Sequence, residues 1–302
     1  MNSIKAILSV VILLMGMLSS HAQYYSSGQD PFSVRWNQIR TDYFQIIYPQ
    51  EFEEKAQYLA NMMELVYPKV GYSLDEYPKR LPLIMHEYYA SSNALVAWAP
   101  KRLEFYSVPP QDAYAQPWLD QLALHEQRHV VQISKMYQGT GKVLSWFLGE
   151  QGPVAVLGLY VPFWFLEGDA TVIETAQSKS GRGRTPAFEN VMRAQILEKG
   201  LYSYDKAMFR SYKHNVPDQY IYGYHLIAGS RKKYGAYLWD HTLDVVAKKA
   251  YMIVPFNHGI KQVTGLTKTQ LYIETFNGLR DEWTRQKDRT IPTFHNEITS
   301  RR

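Results

Sequence analysis

A pair of histidines spaced for one face of a helix is the strongest constraint in this sequence. His125 and His129 lie four positions apart, and Glu126 directly follows the first of them. Residues four apart sit one turn above each other in an α-helix but about 13 Å apart in a strand. Two imidazoles one turn apart can hold a single metal ion, and the adjacent glutamate can reach a water beside that ion. The alternative is coincidence, at about one such sequence in a hundred.

The residues around this motif favour the helix that its spacing requires. Pro117 suits a first helical position, and Leu119 and Leu122 can bury one side. Val130 and Val131 continue the apolar content, so we predict a helix over about 117–137. No histidine follows six residues after His129, which disfavours a metal site with three histidines.

A third ligand is needed, and Glu167 is the candidate. It follows the apolar run Phe163-Trp164-Phe165-Leu166, where an unpaired carboxylate would be costly to bury. A bound cation would be a natural partner for it. The alternative is a glutamate that caps a helix or forms a salt bridge at a helix start. The chain has no cysteine, so any metal ligands must be His, Asp or Glu.

The two motifs together resemble those of a known enzyme class. The pattern His125-Glu126-x-x-His129 followed by Trp164-x-x-Glu167-Gly168-x-Ala170 is similar to that of the gluzincin metallopeptidases. Thermolysin and aminopeptidase N belong to this class, and the closest likeness is to the peptidase-MA-like branch of exported bacterial proteins. The resemblance covers about residues 40–285.

The resemblance implies a fold and a set of roles. The fold is an α+β, thermolysin-like zincin, with a strand-rich N-terminal subdomain, an α-helical C-terminal subdomain and the active-site cleft between them. His125, His129 and Glu167 match the ligands of one Zn²⁺, and Glu126 matches the catalytic base. The 37 residues between His129 and Glu167 exceed the gap in the familiar relatives, and the apolar segment 143–163 is the apparent insertion.

Further positions match the class less fully. Tyr220, with Gly223, resembles the Tyr-x-x-Gly segment whose tyrosine stabilises the oxyanion; the alternative is an ordinary structural residue among 24 tyrosines. The family's aspartate one turn after the ligand glutamate is replaced by Thr171. Asp169 and Glu174 remain candidates for orienting the histidines.

The stretch SNALVAWAP (92–100) resembles the sheet edge along which gluzincins bind substrate as an added strand. Aminopeptidases of this class place an acidic residue there to hold the free α-amine. None occurs between Asn93 and Lys101, which favours an endopeptidase. The alternative is an ordinary core strand.

The pattern of hydrophobic residues divides the chain into parts. We predict a strand-rich subdomain over 23–116, a helical subdomain over 117–290 and a polar tail over 291–302. Within the first, 43–48, 81–89 and 103–108 have strand-like composition, and 51–68 has helical spacing that ends at Pro68. Further helices are predicted near 142–149, 164–178, 187–198, 223–234, 236–249 and 268–287.

The N-terminus has the features of a targeting segment. Lys5 precedes an apolar run from Ala6 to Leu18, and Ser20-His21-Ala22 has small side chains at the cleavage positions. We predict a signal peptide over 1–22, and hence an exported protein of the periplasm, cell surface or medium. The alternative is a membrane anchor, for which the apolar run is short.

Charge and hydropathy exclude some partners. The net charge is +5, and the basic residues are scattered rather than interleaved with aromatics in a stripe, which argues against nucleic acid. The apolar stretch 153–166 is too short for a bilayer span and contains Pro162, so we expect a buried helix or loop. A membrane-facing patch is the alternative.

The sequence thus predicts an exported, zinc-dependent metallopeptidase that acts on a peptide or protein substrate. Two other functions remain open. One is a zinc-binding, non-catalytic interaction module of the cell envelope, and the other is a metal-assisted hydrolase of a non-peptide amide. Neither the cleavage specificity nor the oligomeric state follows from the sequence.

Overall fold

A computed structural model describes residues 30–111, 116–291 and 293. The predicted signal peptide and most of the predicted polar tail lie outside these described residues. The strands are β1 (Trp36–Arg40), β2 (Phe44–Pro49), β3 (Leu81–His86), β4 (Asn93–Ala97) and β5 (Arg102–Tyr106). The helices are α1 (Glu53–Gly71), α2 (Trp118–Ser134), α3 (Gly139–Leu148), α4 (Gln151–Tyr160), α5 (Phe163–Ala176), α6 (Pro186–Lys199), α7 (Tyr204–Phe209), α8 (Gln219–Tyr234), α9 (Tyr237–Lys248), α10 (Pro255–Thr264) and α11 (Lys268–Arg289).

The five strands form one mixed sheet in the order β1-β2-β3-β5-β4. The inner pairs β2–β3 and β3–β5 are parallel, whereas β1 and β4 are antiparallel edge strands. Because every described strand precedes residue 107 and every described α-helix except α1 follows residue 117, the fold is mixed α+β, as predicted. A strand-rich N-terminal part precedes a helical C-terminal part.

Helix α1 connects β2 to the parallel strand β3 and packs on the sheet. Its buried positions Ala56, Leu59, Met63, Val66 and Val70 recur at helical spacing and join the core that the sheet supplies. The prediction that Pro68 ends this helix was wrong, because the helix continues to Gly71. A proline near the last turn removes one backbone hydrogen bond but does not prevent the remaining residues from keeping helical dihedral angles.

Several boundaries differ from those predicted. Helix α8 begins at Gln219 instead of near 223, because the Asp218 side chain caps it by accepting the N–H of Ile221 at 3.0 Å. Strand β1 and the helices α7 and α10 were not predicted. The apolar stretch 153–166, expected as a buried helix or loop, is split between α4 and α5, and two of its side chains, Leu159 and Phe163, are exposed.

Helices α5 and α8 cross closely at two glycines. A Cβ added to Gly168 would lie 2.2 Å from a backbone atom of Gly223, and one added to Gly223 would lie 2.0 Å from the carbonyl oxygen of Trp164. Any larger side chain at either position would push the helices apart. The crossing therefore places Glu167, just before Gly168, close to Tyr220, one turn before Gly223.

A buried ionic cluster ties three helices together. The fully buried Asp169 on α5 accepts from Arg128 on α2 at 2.6 and 3.1 Å and from Arg231 on α8 at 2.7 Å. Arg128 also donates to the Val70 carbonyl in α1 at 2.6 Å and to Ser73 at 2.9 Å. These ion pairs fix the positions of α2, α5 and α8 relative to one another.

Replacing Asp169 with asparagine is expected to destabilise the fold strongly. The change leaves Arg128 and Arg231 buried without a counter-charge, which costs about 3–5 kcal/mol when one partner of a buried pair is removed. The free energy of unfolding, measured by chemical denaturation, would show the loss. Glu274→Gln removes a partner of an exposed pair with Lys233 and should change the stability far less. Equal effects of the two substitutions would contradict this account.

Candidate metal centre

Three potential ligands converge between α2 and α5. Glu167 Oε2 lies 3.2 Å from His125 Nε2 and 3.6 Å from His129 Nε2. One ligand atom from each of the three residues lies within 4.8 Å of the other two. Glu167 and His125 are buried, and His129 is nearly so. Within the described residues, this is the one group of its kind, and it could hold a metal ion.

The outer nitrogen of His129 is held by a hydrogen-bond chain. Its Nδ1 lies 2.9 Å from Gln132 Oε1, and Gln132 Nε2 donates to the Leu166 carbonyl at 3.1 Å and to Asp169 Oδ2 at 2.9 Å. Because the Gln132 amide nitrogen is used by these acceptors, its oxygen must accept from His129. In the neutral ring Nδ1 therefore carries the hydrogen, which leaves the Nε2 lone pair on the side of Glu167 for a metal ion.

His125 is oriented in the same way by a carboxylate. Its Nδ1 lies 3.1 Å from Glu174 Oε2. Arg182 donates two hydrogen bonds to the Glu174 carboxylate, from Nε at 2.6 Å and from Nη2 at 2.8 Å. Arg182 Nη2 also lies 2.9 Å from His125 Nδ1, but two donors cannot bond each other, and Glu174 accepts from both. The Nε2 atoms of both histidines thus face the same point.

The charges around this point shift the pKa values of its residues. Burial alone would lower the pKa of His129, but the hydrogen bond to Glu167 and the charges of Glu167 and Glu126 outweigh it and raise that pKa to about 9. Burial would raise the pKa of Glu167, yet its bonds to both histidines hold the pKa well below its usual range. These opposite shifts place a protonated imidazole beside an ionised carboxylate.

The ligands open onto a cleft of about 310 Å³. Strand β4 lines one side with residues 93–96, and Leu157 and Leu166 add apolar surface. Glu126 lines the same cleft and is rotated about 100° from His125 along α2. Among the described strands β4 is an edge strand bonded to β5 alone, and its residues 93–96 line the cleft.

Tyr220 completes the cleft wall. Its ring centroid lies 6.1 Å from that of His125, and the guanidinium of Arg182 lies 4.9 Å from the same tyrosine ring. Burial first, then the charge of Glu167, raises the pKa of the Tyr220 hydroxyl, which stays protonated at neutral pH. It is thus a hydrogen-bond donor beside the ligand group.

The structure brings together all five residues that the sequence singled out: His125, Glu126, His129, Glu167 and Tyr220. Of the two candidates for orienting the histidines, Glu174 bonds His125 directly, and Asp169 acts on His129 through Gln132. Gln132 and Arg182 were missed. Gln132 lies three positions after His129, and its place on the same helix face was a signal that could have identified it.

No protein-family model matches this chain, and no curated protein matches it.

The affinity for a metal ion is expected to rise with pH. Because the raised pKa of His129 leaves it protonated at pH 7, an entering ion must displace that proton, and this competition disappears as the pH passes about 9. We expect the affinity for Zn²⁺ to increase about tenfold per pH unit from pH 7 toward 9. Competition with a chromophoric chelator would measure it.

The substitution His241→Ala provides a control, because His241 lies on α9 and bonds Gln262 outside the cleft. It should leave both the affinity and its pH dependence unchanged. An affinity that stays constant between pH 7 and 9 would contradict the proton competition.

Proposed function

We propose that this protein is a zinc-dependent peptidase of the gluzincin type, with a thermolysin-like fold and an exported location. One observation carries the proposal. The Nε2 atoms of two histidines face the carboxylate of Glu167, while the carboxylate that the histidine motif supplies, Glu126, lines the same cleft. A structural metal site has no need of such an additional carboxylate.

The donor set favours zinc among the divalent ions. Two imidazole nitrogens and one carboxylate oxygen suit Zn²⁺, whereas Mg²⁺ and Ca²⁺ prefer oxygen ligands alone. Catalytic zinc sites use three protein ligands and leave a fourth position open, while structural sites use four. The three ligands here, beside an accessible cleft, match the catalytic type.

The residues of the chain supply the remaining chemistry. When bound, Zn²⁺ would polarise the scissile carbonyl and lower the pKa of a water in the cleft. Glu126 removes a proton from the attacking water and returns it to the leaving amine nitrogen as the C–N bond breaks. Tyr220 donates its hydroxyl hydrogen to the carbonyl oxygen as negative charge develops there. Gln132 and Glu174 keep the histidine rings oriented.

Strand β4 is the element that would align a substrate. Its unpaired edge offers backbone N–H and C=O groups to an extended peptide, which would add to the sheet as another strand. This mode needs a continuous backbone and no particular side chain, so it supports a peptide or protein substrate over a small amide.

The charges of the cleft favour cleavage within a chain. Among the described residues lining it, the carboxylates are Glu126 and Glu167, and both already have roles. Glu150 approaches the end of β4, but its Oε2 accepts the backbone N–H groups of Ala99 at 3.1 Å and Lys101 at 3.0 Å. No further described carboxylate lines the cleft to hold a free α-amine, which supports an endopeptidase.

Glu126→Gln is expected to reduce proteolysis of an unstructured protein by about 10²–10⁴-fold, because it removes the general base. The variant should bind one zinc per chain, since the three ligands remain. Activity is measured by the appearance of new peptide termini, and zinc by elemental analysis. Glu189→Gln, on the outer helix α6, is the matched control. Full activity of Glu126→Gln would contradict the mechanism, and zinc binding without cleavage by the unaltered protein would favour the interaction module.

Tyr220→Phe removes one hydroxyl without changing the ring. If the hydroxyl stabilises the oxyanion, we expect kcat to fall about 10²–10³-fold with little change in KM. Steady-state kinetics on an internally quenched peptide would separate the two parameters. Tyr224→Phe, four residues along the same helix, is the control, because its hydroxyl contacts the Gly183 carbonyl instead. A loss confined to KM would assign Tyr220 to substrate binding.

A further inference from the structure

The hairpin of α3 and α4 exposes a group of large apolar side chains that the proposed reaction does not use. Among the described residues, 23 large apolar side chains are exposed, and six of them fall within the short stretch 143–163. Single exposed apolar residues are ordinary, but a cluster marks an interaction surface. We call this cluster the α3–α4 face; its members are Val143, Trp146, Phe147, Leu148, Leu159 and, at the start of α5, Phe163.

The turn after α9 adjoins the α3–α4 face. At the start of α3, Thr140 Oγ1 donates to the Lys248 carbonyl at 2.9 Å, and at the end of α4 the Tyr160 hydroxyl donates to the Ala250 carbonyl at 2.7 Å. Both ends of the hairpin are therefore bonded to the start of this turn. The turn itself adds three apolar side chains, Tyr251, Ile253 and Val254, that are 58–92% exposed.

The charge of these segments is one-sided. Residues 136–149 contain Lys142 and neither aspartate nor glutamate. Residues 245–273 also contain neither, while they carry four lysines, of which Lys248 is paired with the preceding acid, Asp244, at 2.6 Å. The acid that follows the first segment, Glu150, uses one carboxylate oxygen for two backbone N–H groups. The surface is therefore apolar and aromatic, with Lys142 on α3 and Lys249 in the adjoining turn as its basic border.

That combination selects one kind of partner. Tryptophan and phenylalanine beside lysine suit the boundary between anionic headgroups and acyl chains, where the rings enter the apolar layer and the ammonium groups meet phosphate. A second copy of this chain would instead bring like-charged borders together. We propose that the α3–α4 face docks the protein on the surface of an anionic lipid bilayer.

Helices α3 and α4 are short enough to lie in the plane of a membrane surface. Within the described residues no single helix is long and apolar enough to cross a membrane, although α4 and α5, which are bent by 99° at their junction, together have sufficient length and apolar composition. Helices α3 and α4 have ten residues each, which corresponds to about 15 Å. Each suits a position in the plane of the interface, with its exposed side toward the lipid.

Helix α4 separates the cleft from the α3–α4 face. Leu157 lines the cleft, and Leu159 belongs to the α3–α4 face. The side chains of residues two positions apart in a helix point about 200° away from each other around its axis. Helix α4 thus presents opposite sides to the two.

A single environment-sensitive dye tests the docking, because the chain has no cysteine of its own. In the full chain, Val143→Cys places the dye on the α3–α4 face, and Phe209→Cys places it on the exposed end of α7 as the matched control. The probes are vesicles of phosphatidylcholine with phosphatidylglycerol and vesicles of phosphatidylcholine alone. We expect a blue shift at position 143 with the anionic vesicles, and none at position 209.

Adding Trp146→Ser and Phe147→Ser to the Val143→Cys chain should weaken the vesicle response about tenfold or more, since both rings leave water on docking. Every variant contains residues 1–29, and the dye reports only the environment of the position that carries it. Binding through another segment would therefore not produce a blue shift at position 143 alone. Neither readout depends on catalysis or zinc.

Three outcomes would overturn the proposal. They are an unchanged spectrum at position 143, an equal response to phosphatidylcholine alone, and a shift that follows protein concentration without lipid, which would indicate a second copy.

Discussion

The buried carboxylate of Asp169 is the constraint on which the candidate site depends. Two arginines, from α2 and α8, converge on it, and the same carboxylate accepts from the Gln132 amide that holds His129. Ligand placement and core assembly therefore share one set of contacts. A shift of α5 by one residue would turn Glu167 about 100° away from the histidines and would also leave three buried charges mispaired. The glycine crossing of α5 and α8 then sets the distance to Tyr220.

Much of this site could be predicted because it rests on helical spacing. His125, Glu126 and His129 are neighbours within one helix. Glu167 could be identified because it is a carboxylate that directly follows an apolar run. Gln132 carried the same kind of signal but was not identified. Arg182 reaches Glu174 from a turn beyond the end of α5, and no periodicity links a turn residue to a partner in another element.

The fold class was predictable for a similar reason, and the missed elements share a physical cause. Strands β2, β3 and β5 bury alternating or continuous side chains that are mostly apolar, whereas β1 is an almost fully exposed edge strand without alternation. Helix α4 was expected only as a helix or loop over 153–166, because its apolar residues run directly into α5, with Pro162 between them.

The central claim is that His125, His129 and Glu167 hold one zinc ion in a site open to the cleft. Anomalous diffraction from zinc-loaded crystals, recorded on both sides of the zinc absorption edge, tests it most directly. The account predicts one strong peak about 2.0–2.2 Å from the Nε2 atoms of both histidines and from a Glu167 oxygen, with a fourth position facing the cleft. A peak elsewhere, or a zinc ion closed off by a fourth protein ligand, would contradict it.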